Sequence, residues 1–278
     1  MKRVLSIQDI SCVGKCSLTV ALPILSAAGL EAAILPTAVL STHTAFKNFT
    51  FRDLSGDIQA ITDHWMQEKI SFEGIYTGYL GSFEQIQLVG KIFADFDHDQ
   101  MLKFVDPAMG DNGKLYVGFD EAFARKMGEL CGKADIIVPN LTEAAFMLGE
   151  KFMGSEYSEA DIKSLLKRLC KLGAKTAVLT GISFDDKLCG AMAYDSNENK
   201  FIEYYAEKLP VSFHGTGDVF ASACFAALMH GQPLQKALRT AVEYTVESIR
   251  CTISYPNHNW YGVDFESAIK KLLQLLSE

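Results

Sequence analysis

The 278-residue chain carries 26 Lys and Arg against 34 Asp and Glu, a formal net charge of −8, and 49% of its residues are hydrophobic. This composition is typical of globular proteins, and the acidic balance argues against a general nucleic-acid binder, which would present a basic surface. No apolar run approaches the roughly 18–20 residues that a membrane span needs. Asp9 also interrupts the N-terminal apolar run, so we predict neither a membrane protein nor a signal peptide.

Strand-like and helix-like segments alternate along the chain. The predicted strands cover residues 3–8, 31–37, 74–77, 102–105, 135–138 and 176–179, followed by an antiparallel pair over 188–194 and 201–207. The predicted helices cover residues 19–28, 54–69, 82–96, 119–130, 158–172, 218–230, 233–249 and 265–276. This order predicts a three-layer αβα sandwich with a mainly parallel central sheet. No repeat or flexible linker divides the chain, so we expect a single domain, residues 1–278, without a separate lid domain.

Seven cysteines occur along the chain, and no two of them form a C-x-x-C pair. Their spacing therefore matches neither a zinc ribbon nor a thioredoxin-like motif. Most lie in apolar segments, where free cysteine behaves as a small hydrophobic residue. We expect reduced cysteines and a cytoplasmic location.

Chemically active residues follow most of the predicted strands. In an open parallel sheet, ligands bind in the crevice at the carboxyl ends of the strands. Hydroxyl, carboxylate or glycine residues occupy this position at residues 9, 41–44, 78–81, 106–111, 139–143 and 180–181, and residues 215–218 open a later helix. Each group alone could be an ordinary turn, but their shared position at one edge of the sheet favours a functional site.

The run Gly215-Thr216-Gly217-Asp218 opens a predicted helix. Glycines at a helix N-terminus let backbone N–H groups converge on an anion, and Asp218 could accept the proton of an attacking hydroxyl. The alternative interpretation is a plain helix start, in which the helix dipole favours Asp218. Asn140 and Glu143 also have two interpretations, because they match a capping box and Glu143 could equally face a hydrated Mg²⁺.

Taken together, these groups suit metal-assisted phosphoryl transfer. Glycine N–H groups would hold phosphates, carboxylates would hold Mg²⁺, and a base would orient the acceptor hydroxyl. The chain has no G-x-x-x-x-G-K-[ST] run, so it is not a P-loop enzyme. It also lacks G-x-G-x-x-G after the first strand, which weighs against a dinucleotide-binding dehydrogenase.

Six motifs in this order resemble the pyridoxal (pyridoxine, pyridoxamine) kinases of the ribokinase-like superfamily. They are Ser6-Ile7-Gln8, Ser41-Thr42-His43-Thr44, Thr77-Gly78-Tyr79-Leu80-Gly81, Asp106-Pro107-Ala108-Met109-Gly110-Asp111, Pro139-Asn140-Leu141-Thr142-Glu143 and the superfamily signature Gly215-Thr216-Gly217-Asp218. The resemblance extends over nearly the whole chain. It implies a ribokinase-like fold and ATP-dependent phosphorylation of the 5′-hydroxymethyl group of a vitamin B6 vitamer, with Mg²⁺.

The resemblance also implies a role for each matching residue. Asp218 would be the catalytic base, and Gly215, Thr216 and Gly217 would form the anion hole. Asp106, Asn140 and Thr180 would lie along the ATP phosphates, Phe213 would line the nucleotide pocket, and Asp111 and Glu143 would lie near Mg²⁺. Asp9, Thr44 and Tyr79 would border the vitamer, with Leu40 as an apolar wall. His43 is a family feature that either takes part in catalysis or holds its loop, and relatives are commonly homodimers.

Two other functions are alternatives to the one that this resemblance implies, and the chain departs from the family pattern at two positions. Hydroxymethylpyrimidine (phosphate) kinases share the fold but typically have Cys where this chain has Asp218, and a non-catalytic nucleotide-binding relative is the alternative from another class. Asp9 replaces a Ser that faces the vitamer ring in many relatives, so it either contacts the ligand or turns away to cap a backbone N–H. Val138 replaces a Thr, which weakens the inference of a monovalent-cation site.

Overall fold

The computed structural model describes residues 1–278 and contains a nine-stranded sheet with the order β11-β10-β9-β8-β5-β4-β1-β2-β3. Its strands are β1 (Arg3–Val13), β2 (Glu31–Thr42), β3 (Phe51–Asp53), β4 (Gly74–Thr77), β5 (Leu102–Val105), β8 (Ile136–Ile137), β9 (Thr176–Ile182), β10 (Leu188–Asp195) and β11 (Lys200–Glu207). A separate two-stranded sheet pairs β6 (Gly110–Asp111) with β7 (Lys114–Leu115).

Nine helices surround the sheet. They are α1 (Leu18–Ala27), α2 (Ser55–Gln67), α3 (Phe83–Asp95), α4 (Glu121–Cys131), α5 (Leu141–Leu148), α6 (Glu159–Cys170), α7 (Thr216–Met229), α8 (Leu234–Ile253) and α9 (Ile269–Ser277). Helices α1, α7, α8 and α9 pack on one face of the sheet, and α2 to α6 pack on the other. The result is the predicted three-layer αβα sandwich.

The centre of the sheet is parallel and its edges are antiparallel. Strands β2, β1, β4, β5, β8 and β9 run parallel, whereas β3, β10 and β11 pair antiparallel with their neighbours. The central strands are buried on both faces, which explains why they read as continuous apolar runs rather than as alternating patterns. The predicted antiparallel pair near the end of the chain is confirmed as β10 and β11.

The topology places a crevice beside β1. Strand β2 lies on one side of β1 and β4 lies on the other. The direction in which successive strands are added to the sheet therefore reverses at β1. In open α/β sheets such a reversal leaves space at the carboxyl ends of the strands. The β1–β2 register also shifts between Gln8 and Ile10, so the irregularity falls at Asp9.

Several elements differ from the predictions. Strand β2 runs on to Thr42, and α7 begins at Thr216 rather than at Asp218, because Gly215 provides its N-terminal cap. Strand β3 and the β6–β7 hairpin were not predicted, although Asn112-Gly113 is a two-residue turn signal. All seven cysteines are free, and no helix combines the length and apolarity needed to cross a bilayer.

Candidate active site

The start of α7 forms an anion-binding loop. Gly215 caps the helix with a φ of 79°, and a Cβ at this position would lie 1.8 Å from the carbonyl oxygen of Lys15, so only glycine is tolerated. Gly217, in contrast, has open space around its Cα. No side chain caps the helix, so the first N–H groups of α7 remain available. This loop can therefore receive a negatively charged group of a ligand.

Asp218 lies in the first turn of α7 and is half-buried. Loss of solvent raises the pKa of its carboxyl group to about 7, and the negative charge of Asp9 adds to this effect. The backbone N–H of Ser17 acts in the opposite direction. A carboxyl group with such a pKa can accept a proton near neutral pH, as a general base must.

Two buried carboxyl groups stand at the end of β5 and in the first turn of α5. The pKa of Asp106 is raised strongly by burial and by the charges of Glu143 and Asp218. Burial raises the pKa of Glu143 to about 8. Glu143 Oε2 accepts a hydrogen bond from the Asn140 N–H at 2.9 Å, and Oε1 accepts one from the Met109 N–H at 3.1 Å.

The capping-box interpretation of Asn140 and Glu143 is thus confirmed. The Asn140 side chain also donates through Nδ2 to the carbonyl oxygen of Gly110 at 2.9 Å. The Thr142 hydroxyl accepts a bond from the Gly113 N–H at 2.9 Å. These contacts fasten the β6–β7 hairpin to the start of α5. The exposed Asp111 in that hairpin is held by Asn112, whose backbone and side-chain N–H groups both donate to it.

A cavity of about 430 Å³ brings these motifs together. Its lining includes every residue predicted for catalysis, nucleotide binding and metal binding: Asp106, Asp111, Asn140, Glu143, Thr180, Phe213, Gly215, Thr216, Gly217 and Asp218. Sequence reasoning missed other lining residues, among them Tyr116, Glu207, Lys208 and His214. Lys208 is the only Lys or Arg in this lining, against five carboxylates.

A local sequence pattern could have indicated Tyr116 as a cavity residue, but no local pattern could have indicated Lys208. Tyr116 follows the Asn112-Gly113 turn, so recognising the hairpin would have placed it beside the acidic motif. Its pKa is raised by burial and by four nearby carboxylates. Lys208 follows the edge strand β11 and reaches the cavity only through the tertiary fold, a position that no short motif announces.

The residues predicted to border the vitamer do not line this cavity. Asp9 is only 3% exposed, and its Oδ2 accepts a hydrogen bond from the Ser11 hydroxyl at 2.9 Å. Ile7 pairs with Thr77 between β1 and β4, so Tyr79 follows on the same side as Asp9. Burial raises the pKa of Tyr79 to about 12, and the Asp9 charge contributes.

Leu40 and Thr44 differ from each other in their surroundings. Leu40 is buried on β2 opposite Ser11, whereas Thr44 is exposed in the loop that follows β2. The neighbouring His43 is buried, and its Nε2 lies 3.1 Å from the carbonyl oxygen of Tyr261. Its Nδ1 accepts a hydrogen bond from the Ala45 N–H, so Nε2 is the protonated donor. His43 therefore holds its loop, as one of its two interpretations predicts.

The carboxylates of the cavity are hard oxygen donors, which Mg²⁺ prefers. No group of three His, Cys, Asp or Glu side chains is close enough to form a protein cage for an ion. Mg²⁺ usually keeps several waters and uses one or two carboxylates together with substrate phosphates. Asp111 and Glu143 line the same cavity as the anion-binding loop, so the residues present are compatible with that mode of binding.

The fold and the site together define a kinase of the ribokinase-like class: an αβα sandwich with a helix N-terminal anion hole, a first-turn aspartate and opposing carboxylates in one crevice. The sequence profile of the family described as phosphomethylpyrimidine kinase matches residues 24–262. The chain belongs to this family.

Individual relatives carry the names of two activities. A protein from Bacteroides thetaiotaomicron, provisionally named a phosphomethylpyrimidine kinase and crystallised with pyridoxal, is 36% identical with a TM-score of 0.93 over 98% of this chain and 95% of its own. Pyridoxal kinase from Lactobacillus plantarum is 31% identical, with a TM-score of 0.89 over 99% and 98% of the two chains. A pyridoxine/pyridoxal/pyridoxamine kinase from Bordetella avium is 28% identical over 90% of this chain and 85% of its own.

Proposed function

We propose that this chain transfers the γ-phosphoryl group of ATP to the 5′-hydroxymethyl group of a vitamin B6 vitamer: pyridoxal, pyridoxine or pyridoxamine. The observation that carries the proposal is the position of Asp218 between two regions. On one side lie the cavity and the free N–H groups of α7, and on the other lies the buried Asp9. A hydroxyl group bound near Asp9 and Tyr79 would meet the base and the phosphoryl group at one point.

In this reaction the vitamer oxygen forms a bond to the γ-phosphorus, and the bond from that phosphorus to the β–γ bridging oxygen breaks. ADP leaves, and Asp218 accepts the hydroxyl proton. The N–H groups of Gly215, Thr216 and Gly217 stabilise charge on the transferring group, because donors aimed at developing charge lower the barrier. Mg²⁺, held by Asp111 and Glu143, would supply neutralisation of the phosphate charge when bound.

The remaining cavity residues would bind the nucleotide. Asp106, Asn140 and Thr180 lie along one wall of the cavity, and Phe213 lies in its lining beside the anion-binding loop. Since the cavity holds five carboxylates and one lysine, a polyphosphate would bind poorly without a cation. This charge balance supports the requirement for Mg²⁺. The cytoplasmic location and the homodimer that the resemblance implies remain predictions.

Hydroxymethylpyrimidine (phosphate) kinase is the second candidate, and the name of the matching family favours it. The observation that favours the B6 kinase is the first-turn carboxyl group itself, because Asp218 stands where those kinases typically have Cys. A non-catalytic nucleotide-binding relative would not need a carboxyl group whose pKa is near 7 beside the anion-binding loop.

The deciding experiment compares four acceptors under the same conditions. Purified protein is incubated with Mg-ATP and pyridoxal, pyridoxine, pyridoxamine or hydroxymethylpyrimidine, and the phosphorylated product is measured by chromatography with mass detection. We expect 5′-phosphates of the B6 vitamers at the higher kcat/KM, and a loss of about 10²–10⁴-fold in turnover with Asp218→Asn. Faster phosphorylation of hydroxymethylpyrimidine than of every vitamer would overturn the B6 assignment, and no product from any acceptor would favour the non-catalytic relative.

A further inference from the structure

One surface loop contacts both sides of the site. Residues 257–262, called here the C-terminal loop, lie between α8 and α9 and are irregular in structure. Its residue Trp260 is 57% exposed, so the loop is not part of the hydrophobic core. Trp260 packs within a cluster of aromatic rings that includes Phe46 and Tyr261.

On the nucleotide side, the C-terminal loop contacts Phe213. The ring of His258 stands edge-on to the ring of Phe213, with centroids 5.4 Å apart and an interplanar angle of 78°. Phe213 lines the cavity, and the Thr216 hydroxyl donates to its carbonyl oxygen at 3.1 Å, next to the anion-binding loop. Phe213 packs against the hydrophobic core, and the ring of His258 is its aromatic neighbour on the side of the C-terminal loop.

On the acceptor side, the same loop contacts the segment that follows β2. The Tyr261 carbonyl oxygen accepts the hydrogen bond from His43 Nε2 at 3.1 Å. Trp260 packs on Phe46 with ring centroids 4.6 Å apart, and on His43 with centroids 6.0 Å apart. Thr44, predicted to border the acceptor, is exposed between His43 and Phe46. The residues on both sides of Thr44 thus contact the C-terminal loop.

The base of the C-terminal loop is fastened firmly. A Cβ on Gly262 would lie 2.4 Å from Lys15 Cβ, so the loop passes close against the segment that also contacts Gly215. The Lys15 ammonium group pairs with Glu266 at 2.6 Å. The Asp264 N–H donates to the Thr252 hydroxyl at 2.7 Å. A loop fixed at its base and in contact with two substrate sites can transmit order from one to the other.

We propose that the C-terminal loop positions both substrates, with His258 and Trp260 as positioning residues, so that nucleotide and acceptor each strengthen the binding of the other. The proposal rests on the proposed function, which supplies a nucleotide and an alcohol acceptor. A bound nucleotide that fixes the contact between His258 and Phe213 also fixes Trp260 and Tyr261, which belong to the same loop. These two residues in turn fix the segment after β2 that contains His43. The second substrate then meets a loop that has already lost its conformational freedom. By linkage the effect is equal in both directions.

The test uses the fluorescence of Trp260. The chain has two tryptophans, and Trp65→Phe removes the other, which packs against Phe72 on the opposite face of the sheet. ADP is titrated with and without saturating pyridoxine, with Mg²⁺ present throughout. We expect ADP alone to change the emission of Trp260, and pyridoxine to tighten ADP binding about fivefold, the lower end of the usual range for coupled sites.

Three variants then locate the coupling. His258→Ala is expected to abolish it and to raise the KM for ATP with little change in kcat, because Asp218 is untouched. His258→Phe keeps an edge-on ring and should restore it. Tyr255→Ala is the matched control, since it removes a 56% exposed aromatic side chain just outside the C-terminal loop, and it should leave the coupling as it is.

Two results would overturn the proposal: equal ADP affinity with and without pyridoxine, or full coupling in a folded His258→Ala variant. A lower kcat in His258→Ala with unchanged substrate affinities would also contradict it. Failure of the proposed function appears elsewhere, as the absence of pyridoxine phosphorylation by the Trp65→Phe protein. In that case the acceptor arm is run with whichever alcohol is phosphorylated, and the His258 variants still decide the proposal.

Discussion

The proposed nucleotide side and the proposed acceptor side of the site are built from different kinds of groups. The nucleotide side consists of backbone N–H groups at the start of α7 and carboxylates that line one cavity. The acceptor side consists of a single buried carboxylate, Asp9, and of aromatic rings carried by two loops. Backbone donors and charges recognise phosphates of any nucleotide, whereas rings and one carboxylate can select the shape and charge of an acceptor. We therefore expect mutations on the first side to affect turnover, and those on the second to affect substrate choice.

Asp218 lies where the two sides meet, and its loss should have the largest effect. Asp218→Asn keeps the size of the side chain but cannot accept the hydroxyl proton, so turnover should fall by about 10²–10⁴-fold, the usual contribution of general-base catalysis. Binding of ADP, followed by Trp260 fluorescence, should stay close to that of the unmutated protein. A variant that turns over at a near-normal rate would remove Asp218 from the reaction.

The pH dependence tests whether the acceptor side influences the base. Burial raises the pKa of Asp218 from 3.8 to about 7, so kcat/KM should rise about tenfold per pH unit below pH 7 and then level off. Because the Asp9 charge also raises the pKa of Asp218, Asp9→Asn should move this limb of the profile to lower pH. A limb that does not move would show that the two carboxyl groups do not interact.

The raised pKa of Asp218 also affects stability. Activity should rise with pH, whereas the contribution of this carboxyl group to stability should fall with pH. The folded protein keeps the Asp218 proton at pH values where the unfolded chain has lost it. This carboxyl group therefore favours the folded state fully below about pH 3.8, and its contribution is lost as the pH rises through about 7. Asp218→Asn should flatten the fall in melting temperature over that interval.

Substitution of Asp9 examines acceptor choice directly. Asp9 is buried and contacts no Lys or Arg, so a cationic group of the acceptor, such as the pyridoxamine ammonium group, is the partner that its charge would prefer. Desolvation of the carboxylate opposes this preference. Asp9→Ser should shift the kcat/KM ratio from pyridoxamine towards pyridoxal about tenfold, which corresponds to about 1.4 kcal/mol.

Ser11→Ala is the matched control for Asp9, because it removes the hydroxyl donor and keeps the charge. It should leave the preference for pyridoxamine over pyridoxal in place. An unchanged ratio in Asp9→Ser would mean that the carboxylate does not face the amine. In the alternative, Asp9 turns away from the ligand and caps a backbone N–H of a neighbouring turn, and Asp9→Ser would then leave the ratio unchanged.

The sequence predicts the nucleotide side of the site more completely than the acceptor side. The nucleotide side could be read because its residues stand in short runs after strands, such as 106–111 and 215–218, and parallel strands bring those runs to one edge. On the acceptor side, the roles of Leu40, Thr44 and Tyr79 come from the resemblance alone and stay predictions. The contacts of His258 and Trp260 could not be predicted, because they join segments that are more than forty residues apart in sequence.

The elements of the fold could likewise be predicted where the local sequence carries the signal, and not where they depend on tertiary contacts. Long segments with a clear period, such as α8 and the pair β10–β11, were predicted to within a few residues. Strand β3 was missed because its three residues, Phe51–Asp53, are exposed and too few to show a period. Its existence depends on pairing with β2, which is a tertiary contact.

The smallest effect is expected for Glu143, whose carboxyl group has a structural partner at each oxygen. Glu143→Gln places an amide NH₂ against one of the backbone N–H donors of Met109 and Asn140, so one of them loses its acceptor. A lost capping interaction costs about 0.5–2 kcal/mol of stability. If Glu143 also serves Mg²⁺, the concentration of Mg²⁺ needed for half-maximal activity should rise as well.

A second capping box provides the control that distinguishes the capping role of Glu143 from a role in binding Mg²⁺. Ser158 and Asp161 form the same motif at the start of α6, where Asp161 is exposed and lies outside the cavity lining. Asp161→Asn should lower the melting temperature without changing the Mg²⁺ requirement, since it removes only a cap. If Glu143→Gln behaves in the same way, Glu143 is a capping residue alone, and the metal would depend on Asp111 and the phosphates. A raised Mg²⁺ requirement in Glu143→Gln only would show that one carboxylate both caps α5 and serves the nucleotide side.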